Sequence, residues 1–377
     1  MIYKLEYVWI DGYEPQPNLR SKVRTFNVPL RPTEINLSVL PEWSFDGSST
    51  RQADGSFSDC ILKPVQLYKS NRNEEYPTFY VFCEVMNPDG TPHESNKRAT
   101  LGVEDETIWF GFEQEYFIRS QKTREILGYD GHAEIQGRYY CGVGHLTKGR
   151  DLVDEHYNMC LDYGIDITGV NAEVAVGQWE FQVFSKGKLS ACDDLWMSRY
   201  FLNKLAEKNE YQIELHPKPM IFGEWNGSGL HTNFSNIKMR DDGNKEYFES
   251  IFKAFESRHE LHINSYGSDN HLRLTGRYET QSIHKFSWGI SDRGASIRVP
   301  QSTAKEWKGY LEDRRPSSHA NPYEIVKVIC DSLNMADELV LTLQNMYSNV
   351  SVKQIDEIAK KYKANLSDQL LSEYRED

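Results

Sequence analysis

"FGFEQEY", residues 110–116, sets Glu113 and Glu115 one residue apart inside an aromatic and otherwise uncharged run. Aromatic residues favour a strand. In a strand, residues i and i+2 share a face, so the two carboxylates crowd one surface and call for a positive charge between them. A second acidic pair stands in "NAEVAVGQWEFQ", residues 171–182, where Glu173 and Glu180 flank Gly177. With Val176-Gly177 as a two-residue hairpin loop, residue 175 pairs with 178 and Glu173 lies across from Glu180. Like charges opposed on a sheet are tolerated when a metal ion or a proton neutralises them. Four carboxylates on neighbouring strands suit the hard cations Mg²⁺ or Mn²⁺.

Two further stretches extend this chemistry. In "WNGSGLHTNFS", residues 225–235, Gly227 and Gly229 let the backbone approach a ligand, and His231 follows as an imidazole donor or metal ligand. "LRLTGRYET", "SDRGASIRVP" and "YLEDRRP" supply Arg273, Arg277, Arg293, Arg298, Arg314 and Arg315. Guanidinium forks bind carboxylate or phosphate and stabilise charge on a transferring phosphoryl group. No GxxxxGK[ST] occurs, so a nucleotide would bind without a P-loop.

The chain has 377 residues, enough for two or more domains, and 56 acidic against 43 basic residues. A net charge of −13 argues against nucleic acid or an anionic membrane as the main partner. Six cysteines, none in a CxxC pair, read as buried or partly buried free thiols rather than a zinc or redox site. The beginning "MIYKLEYVWIDGY" lacks the pattern of a signal peptide, and no apolar run approaches the ~18 residues that span a bilayer. The expectation is a soluble, cytoplasmic protein.

Residues 1–95 read as mostly β, with "KLEYVWI" and "TFYVFCEVM" as strands. The polar segment 87–100 reads as a linker into a second domain, 96–377, in which strands and helices mix. "GRDLVDEHYNMCLDYG" and "EYFESIFKAFESRHELH" show helical spacing, with His156 and His259 as packed or surface residues rather than ligands. "NPYEIVKVICDSLN" and "SVKQIDEIAKKYKANLSDQLLSEY" read as helices, the second a charged, solvated or oligomer-contacting element.

Taken in order, "WSFDGSST", "FGFEQEY", "NAEVAVGQWEFQ", "GSGLHTNFS", "RGASIRVP" and "YLEDRRP" resemble the successive signatures of the glutamine synthetase family, in its type II, eukaryotic-like class. The resemblance implies an α+β protein. A small N-terminal β-grasp domain would precede a catalytic domain built on a curved antiparallel sheet with helices, here with a helical extension from about residue 331. It implies ATP-dependent synthesis of L-glutamine from L-glutamate and ammonium through γ-glutamyl phosphate. It also implies a double-ring homo-oligomer, usually a decamer, with active sites shared between subunits.

Residue by residue, the resemblance carries divalent-metal ligation to Glu113, Glu115, Glu173, Glu180, His231 and Glu312. It carries substrate binding to Arg273, Arg293 and Arg314, with Asn226 and Gly227 beside the substrate. Nucleotide contacts fall on Arg298, Tyr310 and the segment Asn233, Phe234 and Ser235, with Glu180 beside them. The ammonium pocket falls on Asp46, Ser49, Tyr140 and Glu279, the first two supplied by a neighbouring subunit. Asp46 and Glu279 would attract NH₄⁺ and one of them would take its proton, because ammonium has no lone pair with which to attack. Glu279 would also close over the intermediate.

The chain departs from the family wording in residues 117–138, at Tyr278 where histidine is usual, at Val176 where proline is usual, and after residue 330. The competing readings are a sibling ligase that uses a larger amine, and a silent scaffold that keeps the fold.

Overall fold

Alternation along "IYKLEYVWI" sorts strand β1 (Ile2–Ile10) into two faces. Tyr3, Leu5, Tyr7 and Trp9 enter one core with Phe45, Leu62, Phe79 and Val81, while Val8 joins the larger core of the rest of the molecule. The computed structural model describes residues 1–70, 75–129, 135–221 and 223–348, with side chains as far as residue 341. The helix expected from "SVKQIDEIAKKYKANLSDQLLSEY" lies outside these residues, as does part of the altered segment at 130–134.

β1 pairs antiparallel with β2 (Leu19–Asn27) and parallel with β5 (Thr78–Met86). β4 (Asp59–Lys69) joins β5, and β3 (Trp43–Asp46) closes the order β2-β1-β5-β4-β3. The second face of this β-grasp sheet docks on the remainder of the chain. Tyr80 packs edge-on against Tyr163 and Phe201, and Lys204 Nζ lies 2.6 Å from Glu6. The connecting stretch 87–100 is fastened down: Arg98 bridges Glu84 at 2.8 Å and Asp193 at 2.9 Å, and His93 and Asn96 are buried.

The larger region begins with β6 (Trp109–Ser120), the strand that carries "FGFEQEY". It continues through α1 (Arg150–Asp162), β7 (Ile167–Ala172), β8 (Gln178–Lys186), α2 (Lys188–Lys208), β9 (Tyr211–Glu214) and β10 (Leu230–Ser235). Then come α3 (Ile237–Asp241), α4 (Lys245–Ser257), α5 (His259–Ser265), β11 (Trp288–Ile290), β12 (Ile297–Val299), α6 (Gln301–Glu306), β13 (Leu311–Asp313) and α7 (Pro322–Ser348). The sheet runs β11-β12-β13-β10-β6-β8-β7, with β9 on the far end of β6. All its pairs are antiparallel except β11 with β12, which makes the sheet mixed.

Three local expectations are corrected. The β7–β8 register sets Asn171 opposite Glu180, and the Glu173 amide donates to the Gln178 carbonyl at 2.9 Å. Glu173 therefore is not directly across from Glu180. The loop holds four residues, Val174 to Gly177, because only Gly177 takes positive φ (67°) and valine disfavours the primed turn that a two-residue loop needs. The slip is two residues, so both acids keep their face. "EYFESIFKAFESRHELH" forms two helices rather than one, breaking at Arg258, whose guanidinium is held by Ser332 and Asp331 of α7. Among the cysteines, Cys60, Cys83, Cys160 and Cys192 are buried free thiols, but Cys141 is exposed.

Candidate active site

Parity on the central strands builds the site. Glu113 and Glu115 project from the same face of β6, and the ladder places Glu115 opposite Glu180 and Glu113 opposite Gln182 on β8. On the other side of β6, Glu113 pairs with His231 of β10. Glu312 of β13 follows, in register with Asn233 and Arg298. Apart from Asn233, these side chains line one cleft of about 870 Å³, together with Glu173, Tyr140, Asn226, Gly227, Arg273, Glu279, Arg293 and Arg314.

The neutral donors around Glu115, Glu173 and Glu180 do not offset the effect of burial. Burial, then the Glu173 charge, raises the Glu115 carboxyl far above its ordinary range, against the pull of Arg273. Burial raises Glu173, and burial followed by Glu113 and Glu173 raises Glu180. Burial and then Arg314 hold His231 neutral, which leaves one ring nitrogen unprotonated and able to accept. His231 Nδ1 lies 3.4 Å from Glu113 and 3.6 Å from Glu312, and its Nε2 lies 3.8 Å from Glu115. The ligand atoms of Glu113, His231 and Glu312 all fall within 4.8 Å of one another. Carboxylate oxygens with one neutral imidazole, and no thiolate, fit a hard divalent cation.

The arginines form the opposite wall. Arg298 and Arg314 each meet Glu312 at 2.6 Å. Arg298 Nε is buried with no hydrogen-bond partner, as expected of a group kept for a ligand. Arg273 is buried, and its guanidinium donates to the Arg314 carbonyl at 2.8 Å and lies 3.2 Å from His231 Nε2. Gly227 is needed beside it: a β-carbon there would collide with the Pro217 carbonyl and press on Arg273. Arg293 reaches Glu279 at 3.3 Å.

A second cleft of about 1030 Å³ adjoins the first, sharing Glu113 and Gln182. It is lined by Asn233, Phe234, Ser235 and Tyr310, with Trp109, Phe184 and Arg240. Asp46 and Ser49 stand apart: they lie at the end of β3 and line neither cleft. The Asp46 carboxylate accepts from the Ser48 amide at 2.9 Å and from the Ser48 hydroxyl, which lowers its proton affinity.

Sequence reasoning grouped Arg277 and Arg315 with the anion-binding arginines, and neither lines the clefts. Arg315 turns to the opposite side of the sheet and is wholly buried against Asp313, His259 and His262. Three residues that donate to the cleft's acids were missed. Gln178 donates to Glu115 and to the Gly227 carbonyl, Gln182 to Glu180, and Asn171 to Glu173. Their signal was present as parity: Gln178 and Gln182 lie two residues either side of Glu180.

Residues 1–88 match the model of the glutamine synthetase β-grasp domain, and residues 93–252 match that of the glutamine synthetase catalytic domain. The chain belongs to the glutamine synthetase family. A glutamine synthetase of Bradyrhizobium diazoefficiens is 51% identical over 88% of this chain and 96% of its own length. One of Saccharomyces cerevisiae is 45% identical over 87% and 88%, and a cytosolic isozyme of Pinus sylvestris is 42% identical over 87% and 92%. The glutamine synthetase of Plasmodium falciparum superposes with a TM-score of 0.69 over 89% of this chain and 72% of that one. At 16% identity this last likeness speaks for the fold alone.

Proposed function

We infer that this family member joins L-glutamate to ammonium with ATP to give L-glutamine, through γ-glutamyl phosphate. The observation that carries the reading is one cleft in which six acidic side chains and a neutral histidine face four arginines, beside a second cleft with aromatic walls. Glu113, Glu115, Glu173, Glu180, His231 and Glu312 would hold divalent ions, Mg²⁺ or Mn²⁺. Such ions, when bound, neutralise phosphate charge and draw the nucleotide to the amino acid.

The protein's own groups would do the rest. Arg273, Arg293 and Arg314 would hold glutamate and screen charge on the transferring phosphoryl group, with Asn226 and Gly227 beside it. Arg298, Tyr310 and Asn233 to Ser235 would hold ATP, with Glu180 beside them. Tyr140 and Glu279 would gather ammonium, and Glu279 would remove its proton so that nitrogen attacks the acyl carbon. Asp46 and Ser49 are exposed and outside the clefts of their own chain, which supports their serving a neighbouring subunit in a ring assembly, a decamer of two stacked rings. The division at residue 95 into a β-grasp and a catalytic domain, the latter extended from about 331, belongs to the same proposal. No helix among the described residues is long and apolar enough to cross a membrane, and a cytoplasmic location agrees with that.

The test is phosphate and glutamine measured together with ATP, glutamate and ammonium, then with methylamine, putrescine or ethanolamine as the amine. Ammonium should be preferred, with one phosphate per glutamine. Preference for an organic amine would assign a sibling ligase, and silence with every amine would assign a scaffold.

A further inference from the structure

Glu279 lies in a short segment that holds an uncommon backbone. Gly276, Tyr278 and Glu279 have φ of 78°, 54° and 60°, two of them side-chain-bearing residues in left-handed geometry. Such residues persist only where their surroundings over-determine them. On the cleft side, Arg293 touches the Glu279 carboxylate at 3.3 Å, and Arg314 Nη2 lies 3.4 Å from the Glu279 carbonyl. Tyr278, which also lines the cleft, makes the contact to the neighbouring loop. Its hydroxyl donates to Glu224 at 2.6 Å, and the Lys218 ammonium lies 4.6 Å from its ring centroid. Lys218 is itself buried and donates to the Trp225 carbonyl. The segment that receives Tyr278 is thus the one that carries Asn226 and Gly227 into the substrate cleft.

We propose that Tyr278 is a positioning residue: through Glu224 and Lys218 it latches the Glu279 segment onto the substrate loop, keeping the Glu279 carboxylate over the cleft and water out of it. This rests on the glutamine-forming reading. Ammonia attacking the acyl carbon of the phosphorylated glutamate forms the C–N bond and breaks the bond to the phosphate oxygen. Water attacking the same carbon breaks the same bond, returns glutamate and inorganic phosphate, and releases a proton. The latch acts on the partition between these two attacks. A residue that merely supports the fold would alter the total rate and leave the partition unchanged.

The experiment measures phosphate released per glutamine formed, at ammonium below saturation, in the assembled full-length enzyme and in Tyr278→Phe, Glu224→Ala and the double variant. Glu224 is exposed and Tyr278 half-buried, and Tyr278→Phe removes only a hydroxyl, so the variants keep the fold. The ratio should stay near one in the unmodified enzyme and rise about threefold or more in each single variant. The double variant should be no worse than either single one, because both cut the same bond. Glu224→Gln, which keeps an acceptor for the hydroxyl, should recover most of the coupling. A ratio unchanged by Tyr278→Phe, or a double variant that shows the product of two independent losses, overturns the latch alone. An unmodified enzyme that forms no glutamine overturns the functional reading and the latch with it.

Discussion

Glu115 and Glu180 face each other directly across two antiparallel strands, buried, with no cation between them supplied by the chain's own ladder partners. In water-poor surroundings neither gives up its proton at the usual pH. Their folded-state proton affinity is raised, so the unfolded state releases the proton first as pH climbs above the ordinary carboxylate range. Stability of the metal-free protein contributed by this pair is therefore lost with rising pH. Added Mn²⁺ or Mg²⁺ should remove that loss and add about 3 kcal/mol at a hundredfold excess over Kd. Glu180→Gln should raise the melting temperature of the metal-free protein and abolish the metal-dependent increment. Thermal unfolding against metal concentration measures both, and an intact increment in Glu180→Gln would remove that residue from the ligand set.

Glu279→Ala should keep glutamate-dependent ATP cleavage while amide synthesis falls by roughly 10²–10⁴-fold, the usual worth of a general base. Parallel assays of ADP and glutamine decide it. Equal loss of both products would place Glu279 in phosphoryl transfer instead.

Gly227→Ala forces a β-carbon into the Pro217 carbonyl and the Arg273 stem. Displacing Arg273 should reduce kcat/KM for glutamate on the order of 100-fold, the cost of misplacing a binding group by about 1 Å. Steady-state kinetics with varied glutamate measures this, and unchanged kinetics would mean that the loop yields freely.

Arg315 and Asp313 meet at 2.6 Å with both side chains buried, and the pair is braced by His259, His262 and Tyr266. Removing one partner strands a buried charge, so Arg315→Met should cost about 3–5 kcal/mol in unfolding free energy. Urea titration tests it. A loss below about 1 kcal/mol would show that Asp313 finds another partner or takes up a proton.

His156 is wholly buried, and burial lowers its pKa to about 4. The unfolded chain takes up a proton near its ordinary value of about 6.5, so the folded state loses stability as pH falls from about 6.5 towards 4. The full loss is roughly 3 kcal/mol for this one group. His156→Gln should make the slope of stability against pH shallower by about one proton over that window, which urea unfolding at several pH values would reveal.

Much of the site is legible in the sequence because strand parity is local. Glu113 with Glu115, and Glu173 on the face of Glu180, follow from a period of two, and a two-residue error in the hairpin register preserved the face. The separation of Arg315 from Arg314 needed the fold, since adjacent arginines in "EDRRP" turn to opposite sides, Arg314 to Glu312 in the cleft and Arg315 to Asp313 away from it. Residues such as Gln178 and Gln182 carry no charge, and their part emerges only when the fold sets them beside Glu115 and Glu180 as donors.

The order of the motifs and the alternation within each strand fixed the family, the acidic face and the arginines opposite it, because these depend on spacing along a single segment. Which strand lies beside which, and so that Glu180 meets Glu115 rather than Glu173, was decided by the ladder. The pinning of Tyr278 to Glu224 was likewise decided by the tertiary structure, since contacts between residues 54 positions apart exist only once packing has brought their loops together.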